Sequence, residues 1–264
     1  RLIHRTSDNF TIFQNNFINF KKRCEVTIED NFNFINNSIN NINYNINVEE
    51  DATIKHNIFQ NFANSNKLYL TSNTVCEKNS SYSQNTYNFS DGFVRNFHHV
   101  ELNGEFSNAS LKGCFFLKDK NICSNKTNIK HNAENCISDQ TYKGILNDHS
   151  KASYYSNTFV SENAQKTEGY QLSKGILLTD NCSFFSKPEL RIFADDVKCS
   201  HGSTIGPVDE SALYYLRSRG ISKNEAMKMI ISSFIEEDLQ NLDKNIAERV
   251  SKNLSDYLTN LVND

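Results

Sequence analysis

The sequence predicts a mainly β protein: a coil of short stacked strands over residues 1–205, followed by a helical domain over 206–264. Three observations carry this. Apolar residues upstream alternate with polar ones at a period of two, which places one set on a buried face. Short words recur at a step of about 30 residues, as stacked units require. Past Pro207 the apolar spacing switches to the helical period.

Asn41–Val48 is the clearest strand, with Ile42, Tyr44, Ile46 and Val48 on one face and asparagine on the other. The charged turn Glu49-Glu50-Asp51 closes it. Val26/Ile28, Leu68/Leu70 and Val100/Leu102 repeat the alternation in shorter form. With only 2 prolines and 9 glycines in the chain, the turns fall to Asn, Asp and Ser. Lys-Gly pairs at 112–113, 143–144 and 174–175 are 31 residues apart, and each precedes an apolar run. Thr127 and Thr158 repeat the step, and Ser153-Tyr-Tyr-Ser returns as Ser183-Phe-Phe-Ser 30 residues on.

Beyond the switch, Asp209 and Glu210 suit the first turn of a helix that Arg217, Arg219 and Gly220 close. Ser222 and Glu225 form a capping box for a second helix, whose stripe is Ala226, Met227, Ile230, Ile231, Phe234 and Ile235. Leu242, Ile246, Val250, Leu254, Leu258 and Leu261 mark a third. These stripes predict a packed helical cap and a surface for a partner.

The chain has 264 residues, enough for a real core, with a net charge of -3 and a pI near 6.2. No basic stripe stands out along the sequence, which argues against nucleic acid. No apolar run approaches a membrane span, and the mean hydropathy of -0.60 points to a soluble protein. The chain begins at Arg1 with neither an initiator Met nor a signal peptide, so its N-terminus is expected to be trimmed or unrepresented. Seven scattered cysteines (24, 76, 114, 123, 136, 182 and 199) include no C-x-x-C pair and read as reduced, mostly buried thiols. Triplets of the N-x-S/T kind at Asn79 and Asn108 are expected by chance in so Asn- and Ser-rich a chain.

At the junction lies Phe193–Gly206, F-A-D-D-V-K-C-S-H-G-S-T-I-G. In an extended chain Cys199 and His201 point to one face, so a thiolate and an imidazole could serve one metal or cluster site. The neighbouring pairs fail the same test. Asp195-Asp196 and His98-His99 point to opposite faces, so neither makes a shared centre. Arg217 and Arg219 read as helix-dipole partners.

From Lys143 onward the sequence resembles the SufB/SufD family, scaffold proteins of the SUF iron–sulfur cluster assembly system. The carrying stretches are K-G-I-L-N-D (143–148), A-Q-K-T-E-G-Y-Q (164–171), K-P-E-L-R-I-F-A-D-D-V-K-C-S-H-G-S-T-I-G (187–206) and D-E-S-A-L-Y-Y-L-R-S-R-G-I (209–221). Lys198–Gly202, K-C-S-H-G, is similar to the SufD branch, since Ser200 stands where the SufB branch has an acidic residue. The resemblance implies a right-handed parallel β-helix followed by a C-terminal helical domain, with a family N-terminal helical region missing from this chain.

It also implies a non-enzymatic scaffold subunit that pairs with a SufB-like subunit through the β-helix and docks a SufC-like ATPase through the C-terminal helices. When the chain is alone, a homodimer is one of the forms the resemblance allows. Cys199 and His201 match the family's cysteine and histidine at the subunit interface, as ligands of a transient iron–sulfur cluster. The expected compartment is the cytoplasm, with the plastid as the alternative. The competing classes are a β-helix carbohydrate-active enzyme, which would want a charged cluster and an aromatic groove on one face, and a purely structural solenoid.

Overall fold

The computed structural model describes residues 1–6, 10–34, 37–62, 66–239 and 242–263, with the side chains of Thr6, Asp238 and 260–263 outside the description. Leu261 of the third helical stripe therefore lies outside the described side chains.

Every strand pairs in parallel with the strand two places away in sequence. The odd strands β1 (Leu2–Thr6), β3 (Glu25–Phe34), β5 (Thr53–Gln60), β7 (Ser81–Asn88), β9 (Asn108–Leu117), β11 (Ile137–Leu146), β13 (Thr167–Leu177) and β15 (Val197–Pro207) form one sheet in that order. The even strands β2 (Thr11–Phe20), β4 (Ile39–Val48), β6 (Asn66–Cys76), β8 (Gly92–Leu102), β10 (Ile122–His131), β12 (Lys151–Val160) and β14 (Ser183–Ile192) form the other. Each coil contributes one strand to each sheet, making a parallel solenoid of about seven turns. Three helices follow: α1 (Glu210–Ser218), α2 (Lys223–Leu239) and α3 (Lys244–Asn263).

The period-two alternation becomes the wall of the lumen. Ile42, Tyr44, Ile46 and Val48 are all buried, stacked in register between Leu70, Ser72, Thr74 and Cys76 of β6 on one side and β2 on the other. Corners are made as the composition requires. Of the nine non-glycine residues at positive φ among the described residues, six are Asn or Asp, among them Asp51, Asn79, Asp119, Asn135 and Asp148. Their short polar side chains tolerate the left-handed region.

The repeat is real, but its step is not constant. Register partners lie 26 residues apart at Asn66↔Gly92 and 32 apart at Lys151↔Ser183. Lys143 and Gly144 stack on Lys174 and Gly175, as the 31-residue step predicts. The first Lys-Gly pair does not: Lys112 faces Thr141 and Gly113 faces Tyr142, two residues out of register. Thr127 pairs with Ser156, and Ser153 with Phe185, displaced by the same two residues. A shift of two keeps each side chain on its face. The glycines recur because aromatic rings need room: a Cβ at Gly113 would run into the Tyr142 ring, and one at Gly144 into Phe115.

The apolar runs after these glycines are buried on both faces. Phe115 and Leu117 point into the lumen, while Cys114, Phe116 and Ile145 point outward and are also buried. Their cover is the helical stripe: Ile231 and Ile235 of α2, with Ile246, Val250, Leu254 and Leu258 of α3, pack on Phe59, Tyr87, Cys114, Phe116 and Ile145. A strand sandwiched between lumen and helix loses its alternation, which is why C-F-F-L reads as a continuous run. Lys143, 2% exposed, ties the layers by donating to the Phe234 carbonyl (2.9 Å) and pairing with Glu237 (3.3 Å). The stripe thus packs as a helical cap on the chain's own odd sheet.

The caps follow the sequence closely. Asp209 is the N-cap of α1, its Oδ1 accepting from the Ser211 and Ala212 amides, and Gly220 follows the helix at φ +87°. The Ser222 hydroxyl accepts from the Glu225 amide (3.2 Å), one half of the capping box.

Candidate functional site at the open end of the solenoid

β15 is the last strand of the odd sheet and among the described strands pairs only with β13, so one of its edges is open. The register places Cys199 over Gly169, His201 over Gln171 and Ser203 over Ser173. All three β13 partners are buried. Cys199 and His201 therefore occupy lumen-facing positions of the final rung, about 7 Å apart along the strand. Side chains in these positions elsewhere are sealed by the next coil. Here no described strand stacks above them, and Cys199 is half-buried and His201 exposed.

The local sequence creates this geometry. Gly169, below Cys199, leaves space that a side chain would fill: a Cβ there would stand 3.3 Å from the Cys199 sulfur. Cys199 and Val197 pack against a small cluster of Val160, Ala164 and Ala194. Beneath His201, Gln171 is locked by donating to Thr158 (2.7 Å) and the Glu189 carbonyl (3.1 Å) and accepting from Ser156 (3.0 Å). The floor is rigid. The imidazole above it makes no hydrogen bond to any described residue, so both ring nitrogens are open to an incoming group.

Burial pushes the Cys199 thiol above its ordinary range, and a hydrogen bond from the Gly169 backbone only partly offsets it. The group is not a standing thiolate of the kind that makes a cysteine reactive by itself. It becomes a ligand when a metal displaces its proton. Among the described residues no group of three or more His, Cys, Asp or Glu side chains could hold a metal ion. The set is two donors, one soft and one borderline, on an open face. It fits an iron–sulfur cargo only if other donors complete the shell.

The remaining sequence candidates separate as their faces predict. His98 is buried in the lumen, and His99 points outward to Glu101 (3.2 Å). Asp195 and Asp196 are both exposed. Cys136 and Cys182 are buried, as expected of core thiols. Sequence reasoning missed a lumenal polar cluster at the other end: Asp30, fully buried, accepts from His56 (2.7 Å) and faces His4 (3.4 Å). Nothing in the residues around Asp30 or His56 announces it, because the contact joins different coils.

A family model and three relatives bear on identity. A family model described as "SUF system FeS cluster assembly, SufBD core domain" matches residues 3–234. The iron–sulfur cluster assembly protein SufD of Escherichia coli is 31% identical over 218 residues, 81% of this chain and 51% of that protein. A SufBD family protein of Synechocystis is 25% identical over 233 residues, 84% of this chain and 51% of the relative. The chloroplastic protein ABCI7 of Arabidopsis thaliana is 42% identical over 84 residues, 32% of this chain and 18% of its own length. The chain spans about half the length of the first two relatives. The match covers the solenoid, the Cys199–His201 rung and the first two helices up to Phe234, and the chain belongs to the SufBD core-domain family of the SUF iron–sulfur cluster assembly system.

Proposed function

We propose that the protein is a SufD-like scaffold subunit whose open end joins a SufB-like subunit, so that Cys199 and His201 face the partner across the seam. The observation that carries this is the placement of both donors in lumen-facing positions of a rung that no further coil covers. β14 and β15 end their sheets there with unpaired edges, which a second β-helix could extend strand on strand. A shared seam explains a two-donor set: each subunit supplies part of a shell, and the cluster is cargo held loosely enough to pass on. On this reading the subunit is a scaffold and not a hydrolase, and a homodimer forms through the same seam when the partner is lacking. It works in the cytoplasm, with the plastid as the alternative, in keeping with its bacterial and chloroplast relatives. Residues 1–205 and 206–264 are the two functional parts, although the helices pack on the solenoid.

Cys199→Ala is expected to leave folding and partner capture intact while lowering the activity of iron–sulfur enzymes in cells that depend on this protein. Co-purification from the native host and assay of those enzymes read both arms. Unchanged cluster supply would remove Cys199 from the site, and loss of the partner would make its role structural.

The ATPase is assigned to α1 within this reading. α2 and α3 bury their stripe at home, whereas α1 has no buried residue and exposes Tyr214 (76%) and Tyr215 (58%). Exposed adjacent tyrosines are typical anchors of a protein interface. The double change Tyr214→Ser/Tyr215→Ser should abolish ATPase co-purification with no change in thermal stability, and retained ATPase would move the docking site elsewhere.

A further inference from the structure

The outer face of the even sheet is uncovered by any described element, and its chemistry is one-sided. From β8 to β14 the outward positions carry Arg95, Lys126, Lys130, Lys151, Lys187 and Arg191 against only Glu101 and Glu189. Both acids are already engaged, Glu189 by Arg191 (2.8 Å) and Glu101 by His99 (3.2 Å). The other five cations have no carboxylate partner among the described residues. On the odd sheet three lysines are matched instead: Lys112 by Asp139 (3.3 Å), Lys143 by Glu237 (3.3 Å) and Lys198 by Glu168 (2.9 Å). In a chain of net charge -3, this face is a concentrated positive region.

The register orders it. One row across the sheet reads Phe97, Lys126, Tyr155, Lys187, ring and cation by turns at the strand spacing of about 4.8 Å. Beside it Ser124 and Ser153, hydrogen-bonded to one another (2.9 Å), give a low floor between Arg95 and Phe185. Around Arg95, Phe97 and Lys126 lies an open groove of about 590 Å³.

We propose that this groove, with the cationic row that runs on from it, docks an acidic, extended segment of a partner protein, its carboxylates meeting Arg95 and Lys126 in the groove and Lys187 beyond it, and its chain lying on the serine floor. Charge complementarity selects the occupant. A second copy presenting the same face would set like charges together. Nucleic acid would need free ring faces for its bases. Lys126 lies over Phe97 (5.2 Å) and Lys130 over Phe159 (5.8 Å), so those faces are occupied. The site is remote in kind from the cluster rung and does not depend on its assignment.

The test uses fluorescence anisotropy of the full chain with labelled poly-glutamate and, separately, oligo-dT. Poly-glutamate binding should weaken at least about tenfold in the triple variant Arg95→Glu/Lys126→Glu/Lys187→Glu, as expected for several desolvated charge contacts. A control that reverses Lys21, Lys22 and Lys78, which are paired with Glu49, Glu50 and Glu105, should bind like the parent. Should the glutamate triple misfold by circular dichroism, the glutamine triple reads the same loss. Equal weakening in the control, or none in the triple, overturns the proposal. Tighter binding of oligo-dT through the same three residues overturns it in favour of nucleic acid.

Discussion

Asp30→Ala is expected to destabilise the solenoid by about 3–5 kcal/mol, the range for stranding the partner of a buried charge. Asp30 is fully buried between the first three coils of the odd sheet. Burial alone would push its carboxyl up, but hydrogen bonds from His4 and His56, and their charge, hold it well below the usual carboxylate range. The cluster extends inward. Tyr82 gives its hydroxyl proton to Gln84 (3.0 Å) and so accepts from His56 Nδ1 (3.1 Å), while Tyr44 and His4 meet at 3.2 Å. Removing the carboxylate leaves His56 Nε2 facing a void. Asp30→Asn should cost less, since an amide oxygen can still accept. Urea unfolding midpoints measure both, and a loss below about 1 kcal/mol for alanine would show the charge to be dispensable.

Acidification should weaken the protein well before carboxylates titrate. Burial, and then the charge on His56, hold His98 down to about 3. Burial alone holds His131 down to about 4. Both are neutral in the folded lumen, where Ser72 and Ser138 meet them at 2.8 Å. In the unfolded chain each takes a proton near its ordinary value of 6.5. The unfolded state therefore binds about two more protons below that value, so stability is complete above it and falls as pH drops. The slope is about 1.4 kcal/mol per pH unit for each histidine, or about 4 kcal/mol lost by about pH 5. His98→Gln/His131→Gln should flatten this limb in denaturant titrations across pH. A parent-like slope in the double variant would place the proton uptake on other groups. At still lower pH Asp30 adds to the loss, because its depressed carboxyl is worth most above the unfolded value.

How much of this could be read from residues alone depends on whether a contact is local. The lumen stripe Ile42–Tyr44–Ile46–Val48 and the Asn/Asp corners follow from period and turn chemistry within one strand and its turn. So do the shared face of Cys199 and His201 and the opposed faces of His98 and His99. Their position at an uncovered end depends on which strand comes last. Arg23, Phe106 and Lys166 take positive φ without any preference announcing it; the solenoid corner imposes it. Asp30 and His56 lie in neighbouring coils, and their pairing exists only once a register is set. The cationic face escaped for the same reason. Its residues come one or two per strand, separated by a whole coil, so no window of sequence contains a basic run. The helical stripes were legible, and they pack as the expected cap on the protein's own odd sheet.

The uneven rungs carry a consequence for evolution. Corners absorb differences of several residues between coils while the strands keep phase, so insertions at the bends are tolerated and single-residue slips inside strands are not. Each coil leans only on its neighbours. A whole turn gained or lost near the beginning would thus leave the terminal thiol and imidazole in unaltered surroundings, which frees descendants to vary in length while the business end stays the same.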